Sequence, residues 1–202
     1  MIAFTFLRHL MKLALKILFA FVMLITAYSR CNAAETSYMD PLLNQAKVQS
    51  SGRLTFWGLP IYDATLYRSA LPNASEFALE IRYQRSISGD ALASRTAEEM
   101  IKTGVSEKQA DLWGKELAKI FPNVEPGTML TAVYVPKQGT TFLLNQKPLA
   151  QVPGEDFSKA FFGVWFSDKT SSPKLRKALL GQNCLAPLFN EPCTPRKSFT
   201  DS

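Results

Sequence analysis

The chain has 202 residues, 47% of them hydrophobic, with 23 Lys and Arg against 17 Asp and Glu and a single histidine. That length and apolar fraction suit one domain with a sizeable core. One imidazole and three cysteines leave little for zinc, copper or haem centres, or for Ser-His and Cys-His nucleophiles, and no Walker, dinucleotide or EF-hand motif occurs.

Residues 1–33 read as a secretory signal peptide. Arg8, His9 and Lys12 form a basic n-region, and Leu13 to Ala27 is an apolar run broken only by Lys16 and Thr26. Cys31 and Ala33 then occupy the −3 and −1 positions of a cut before Ala34. Met11 is an alternative start that leaves a well-proportioned signal. The alternative of a membrane anchor meets a run of about 15 residues, short of the ~20 a bilayer span needs. A lipoprotein is disfavoured by Arg30 just before Cys31. The expectation is a periplasmic or secreted protein with no stable membrane span after processing.

Removing the segment changes the chemistry available. It takes away His9 and four of the 23 basic residues and no acid, leaving 19 against 17, a formal +2 in place of +6. Overall charge then gives no support for a nucleic-acid partner. No metal and no cofactor is expected. Cys184 and Cys193 remain in an oxidising compartment where pairing is expected. A bridge there would close a small loop in the Pro-rich tail 182–202 and contribute about 2–3 kcal/mol. A redox-active pair is the alternative, without any CxxC spacing.

Along the chain, residues 34–51 form a lead-in without a clear pattern. Arg53 to Trp57 predicts a strand, Gly58-Leu59-Pro60 a break, and Ile61 to Arg68 a second strand. Phe77 to Ile87 alternates most clearly: Leu79, Ile81, Tyr83, Arg85 and Ile87 share one face and Glu80, Arg82, Gln84 and Ser86 the other. A helix over 91–102 stops at Gly104. Ser106 caps a second helix, with Gln109 completing a capping box and Pro122 closing it. Met129 to Val135 and Thr140 to Leu144 predict a hairpin. A helix over about 156–165 follows, then one starting at Ser172-Pro173 and ending at Gly181. The order predicts an α+β fold with a mostly antiparallel sheet and helices on one face.

The run Gly52 to Tyr67, with Leu79-Glu80-Ile81-Arg82-Tyr83, Arg85, the Glu98-Glu99-Met100 helix, Trp113 and Phe121-Pro122, resembles the bacterial chalcone isomerase-like domains. The Gly139 hairpin, Phe161 to Phe166, and Leu175 to Gly181 continue the family order, so the likeness covers about 52–181. It implies an open-faced β-sandwich, a large antiparallel sheet packed against a helical layer, with an apolar ligand cleft between them. Relatives include plant enzymes that cyclise chalcones, fatty-acid-binding proteins and proteins with neither activity. In the enzymes an early-strand arginine steadies a phenolate, while a threonine and a tyrosine organise a water at the ketone. The resemblance sets Arg53 at that arginine and Tyr62 at that threonine, a departure from the enzyme pattern.

The strand pattern turns Arg85 inward, where a buried guanidinium needs an anion. A ligand carboxylate could supply it, with Tyr83 adding a hydrogen bond; a protein acid, Asp63, Glu98 or Glu99, is the alternative. Asp63 reads as structural, bonded to backbone or an arginine. Arg95, Glu98 and Glu99 read as a solvated helix face, with Arg95 and Glu99 on the side that could reach the cleft. Trp57, Trp113, Phe161, Phe162 and Trp165 read as core, one or two of them lining the cavity. The expected function is an exported, non-catalytic binder of a small apolar carboxylate such as a fatty acid, with Arg85, Tyr83, Arg53 and Tyr62 as ligand-binding candidates. The alternatives are an intramolecular lyase or isomerase of chalcone isomerase type acting through Arg and Tyr, and an envelope scaffold.

Overall fold

The computed structural model describes residues 37–181 with Leu185, Leu188 and Phe189, and the fold is that of the compact unit beginning at Met39. The strands β1 Ala46–Phe56, β2 Leu59–Ser69, β3 Phe77–Tyr83, β4 Met129–Val135, β5 Gly139–Leu144 and β6 Lys147–Val152 form one antiparallel sheet in chain order. The helices are α1 Gly89–Lys102, α2 Glu107–Ile120, α3 Glu155–Phe166 and α4 Pro173–Leu180. α1 packs on α2 and α3, α3 on β5, and α4 on β1 and β2. This is an α+β fold, an open six-stranded sheet with a helical layer.

Strand alternation builds the interface between the layers. Ala64 and Leu66 of β2, Leu79 and Ile81 of β3, Leu130 and Ala132 of β4 and Phe142 of β5 join one buried cluster with Phe157, Phe161, Phe162 and Phe166 of α3. α3 is apolar round most of its circumference because it lies between the sheet and α1, with seven of its residues buried. The Ser106 cap takes its expected form, accepting from the Gln109 N–H, and Ser88 caps α1 in the same way through the Ala91 N–H.

Gly89 opens α1 against the end of α2. A Cβ there would lie 2.0 Å from the Phe121 carbonyl oxygen, and the Gly89 N–H donates to Asn123 Oδ1. Since both sides of this contact are backbone, Gly89→Ala is expected to cost about 1–3 kcal/mol. Urea unfolding measures it; wild-type stability would contradict the close approach.

Four features differ from the sequence expectation. β1 begins at Ala46, inside the unpatterned lead-in, because pairing with β2 out to Ser69 satisfies a polar stretch that shows no alternation. β3 stops at Tyr83, where the backbone leaves the ladder: Gln84 N–H donates to the Ile61 carbonyl and Tyr83's carbonyl accepts from Gly127 N–H. The intervening bend breaks the two-residue period, so Arg85 is exposed and its Nε donates to the Pro60 carbonyl at 3.2 Å, while Ile87 rejoins through a bridge to Val124. β6 was not expected, since its turn is Asn145-Gln146 with both φ positive and the strand contains Pro148. Trp57, read as core, is 91% exposed at the β1–β2 turn. The signal-like segment with His9 and Cys31, and the pair Cys184 and Cys193, lie outside the described residues.

Candidate functional site

Between the sheet and α1 and α3 lies a partly open cavity of about 370 Å³. Its floor comes from the inward positions of three neighbouring strands: Tyr62, Leu79, Ile81, Tyr83, Leu130 and Ala132. Its roof comes from Leu92, Arg95, Thr96 and Glu99 of α1 and from Phe161, Val164 and Trp165 of α3. Leu54, Phe56 and Ile61 close one side. The α1 residues recur every three to four positions, so a single helical stripe carries both the apolar roof and its charged end. The size falls in the lower part of the ~300–1,000 Å³ range of small-molecule pockets.

Polar groups gather at one end. Glu99 has only 6% of its side chain exposed, yet it accepts from Ser171 Oγ at 2.6 Å and Lys102 Nζ at 2.9 Å and pairs with Arg95 Nη2 at 2.5 Å. Burial would raise its pKa, but the Ser171 and Lys102 hydrogen bonds and the charges of Arg95 and Lys102 outweigh that and hold it below the ordinary 4.5. Arg95 also touches Glu98 at 3.3 Å. These ion pairs engage two of its five donors and leave others for a ligand.

Two phenols face each other across β2 and β3. Tyr62 and Tyr83 are register partners and meet edge to face, ring centroids 6.2 Å apart. Tyr62's hydroxyl accepts from the Trp165 indole N–H at 2.9 Å, so its own proton stays available to donate. Burial pushes its pKa up to about 12, against the opposing Trp165 hydrogen bond, and Glu99's charge adds to the rise. Tyr83 is also raised, mainly by burial, and its hydroxyl has no hydrogen-bond partner among the described residues. Both are neutral donors near pH 7.

Of the expected site residues, Tyr62 and Tyr83 come together on the cavity wall, whereas Arg53 and Arg85 do not line it. Arg53 lies on the opposite face of β1 and grips Asp63 through two hydrogen bonds, 2.5 Å from Nε and 2.9 Å from Nη2. Gln84 Nε2 gives Asp63 a third at 2.9 Å, and the Arg53 contact leads in holding that carboxyl below its usual range. The cavity's guanidinium is Arg95. Its signal was the four-residue spacing to Glu99 on the face that also carries Leu92. Among the described residues there is no cluster of His, Cys, Asp and Glu able to hold a metal, and no helix long and apolar enough to cross a membrane.

The chalcone isomerase-like family pattern matches residues 55–181, most of the chain. The chain belongs to the chalcone isomerase-like family. It is 26% identical over 165 residues to a Haemophilus influenzae protein described only as uncharacterized, covering 80% of this chain and 76% of that one. Among solved structures it is similar to a fatty-acid binding protein of Arabidopsis thaliana, with a TM-score of 0.53 over 67% of this chain and 86% of the other. At 7% identity that likeness speaks to the fold.

Glu99 and Asp63 give the family member an acid-sensitive stability. Their carboxyls bind protons less readily folded than unfolded, so between the two sets of pKa values the unfolded chain takes up more protons. Their contribution is present above the ordinary carboxylate range and is lost as pH falls through the lower folded values. Urea unfolding across that range should show stability falling with pH, and Glu99→Gln should flatten part of the slope. An unchanged slope in the variant would contradict the pairing of Glu99.

Proposed function

We propose that this protein is an exported binder of a small apolar molecule carrying an acid group, such as a fatty acid. The observation that carries the reading is an apolar cavity of about 370 Å³ whose polar end offers the Arg95 guanidinium beside the hydroxyl of Tyr62. The hydrocarbon lies between the sheet and α3, among Leu79, Ile81, Leu130 and Phe161. The carboxylate takes the N–H donors of Arg95 that Glu98 and Glu99 leave free, and Tyr62 and Tyr83 donate to its oxygens. Arg95 takes the role the strand pattern gave to Arg85, and Arg53 serves the sheet's other face through Asp63. The fatty-acid binding protein of similar fold and the signal-like residues 1–33 support a lipid ligand and an exported location.

Calorimetric titration of the purified protein with saturated fatty acids, and with alcohols of the same chain length, tests this reading. Saturable binding of the acid, stronger than that of the alcohol, is expected; no heat and no retention of either would contradict it.

Tyr62 favours a second reading, an isomerase or intramolecular lyase, because its proton is free while Trp165 holds its oxygen. In that reading Tyr62 protonates a developing enolate. Absorbance decay of hydroxylated chalcones that disappears in Tyr62→Phe would support it; equal decay with and without the protein would exclude it for those substrates.

A further inference from the structure

The β1–β2 turn carries the most exposed large apolar group among the described residues. Trp57 is 91% exposed, Phe56 65% and Leu59 51%. The Phe56 and Trp57 rings stack at 5.7 Å with 17° between their planes. Trp57 and Gly58 both have positive φ, 50° and 77°, as the central pair of a tight hairpin. The first of these positions favours Asn, Asp or Gly, and a bulky aromatic there is a backbone outlier. Burial within the fold does not offset that cost, because the indole stands in solvent. An unfavourable conformation kept at an exposed aromatic points to a task outside the folded core.

The surroundings of the tip identify its partner. Arg85 is fixed by its Nε bond to the Pro60 carbonyl at the root of the same hairpin, and it enters none of the ion pairs among the described residues. Arg82, the register partner of Asp63 near the end of β3, is also exposed. The hairpin's own acid, Asp63, is held by Arg53 and Gln84, and Glu125 lies against Ser86 at 3.5 Å. Three apolar side chains on a projecting turn are too few for the ~800 Å² per partner of a stable protein interface. They suit insertion into the headgroup region of a bilayer, where Trp is favoured and guanidinium groups meet anionic lipid. Phe56 also lines the cavity and stacks on Trp57, so the tip adjoins the cavity mouth.

We infer that the β1–β2 hairpin is a membrane-docking wedge that seats Trp57 and Phe56 in an anionic lipid surface and turns the cavity toward it. This goes beyond ligand binding, and docking does not require a loaded cavity. The experiment is co-sedimentation of the purified protein, as the expressing cell delivers it, with phosphatidylglycerol/phosphatidylcholine vesicles and with phosphatidylcholine vesicles alone. Trp57→Asn keeps a residue suited to positive φ, so its melting temperature should match or exceed the parent's while vesicle binding falls at least roughly tenfold. Arg85→Gln should lose about fivefold on the anionic vesicles and little on the neutral ones. Arg95→Ala, which removes the ligand's anchor, should dock like the parent, so a failed ligand reading and a failed docking reading remain distinguishable. Parent-like vesicle binding by Trp57→Asn, or no binding by the parent, overturns the inference. Unchanged vesicle binding with loss of a co-purifying protein would assign the tip to a protein partner and overturn it equally.

Discussion

Phe162→Ala is expected to destabilise the fold by about 3–5 kcal/mol, the range for deleting a buried aromatic ring. Phe162 has no exposed surface, and its ring sits 4.7 Å from Phe77, 5.2 Å from Phe161, and within 6.5 Å of Tyr134 and Phe166 by centroid. These neighbours come from β3, β4 and α3 itself, so the ring ties the helical layer to the centre of the sheet. They cannot close over the vacancy without moving a helix whose other faces are also packed. Chemical unfolding with a two-state fit measures the loss; a cost below about 1 kcal/mol would mean the layer contact is looser than the geometry shows.

Arg95→Ala is expected to weaken binding of a long-chain fatty acid by about 10- to 100-fold, from losing charge-assisted hydrogen bonds to the carboxylate. The alcohol of equal chain length should lose far less. Fold stability should barely change, because Arg95 is 61% exposed on its side-chain surface and Glu99 keeps Lys102 and Ser171. Parallel titrations of acid and alcohol separate head-group recognition from chain burial. Equal losses for both would move the head group away from Arg95.

The architecture was legible because its signals are local and repeated. Alternation in Leu79, Ile81 and Tyr83, the cap at Ser106, and the Pro173 start with Gly181 stop each act within one element. What escaped depended on pairing and turns. Ala46 to Ser51 become a strand only because β2 lies beside them, and β6 follows an Asn-Gln turn and includes a proline. The cavity wall followed the same division. Tyr83 sits on the inward phase of a regular strand, and Tyr62 enters as a candidate through the family resemblance; both line the cavity. The alternation that turns Arg85 inward ends with β3 at Tyr83, two residues earlier, and the bend that follows leaves Arg85 exposed. Arg95 looked like one half of a surface ion pair, since nothing in helical spacing alone says that the stripe it shares with Leu92 and Glu99 covers a cavity. Trp57 reads as core in the sequence, whereas the turn it occupies places its ring in solvent.

The proposed ligand occupies the space between Tyr62, Arg95 and Trp165. Organic extraction of the protein purified from its expressing cell, followed by mass spectrometry of the extract, addresses it most directly. An apolar carboxylic acid in near-stoichiometric amount is expected, reduced in Arg95→Ala. An empty extract, with no retention of added fatty acids on re-isolation, would contradict it.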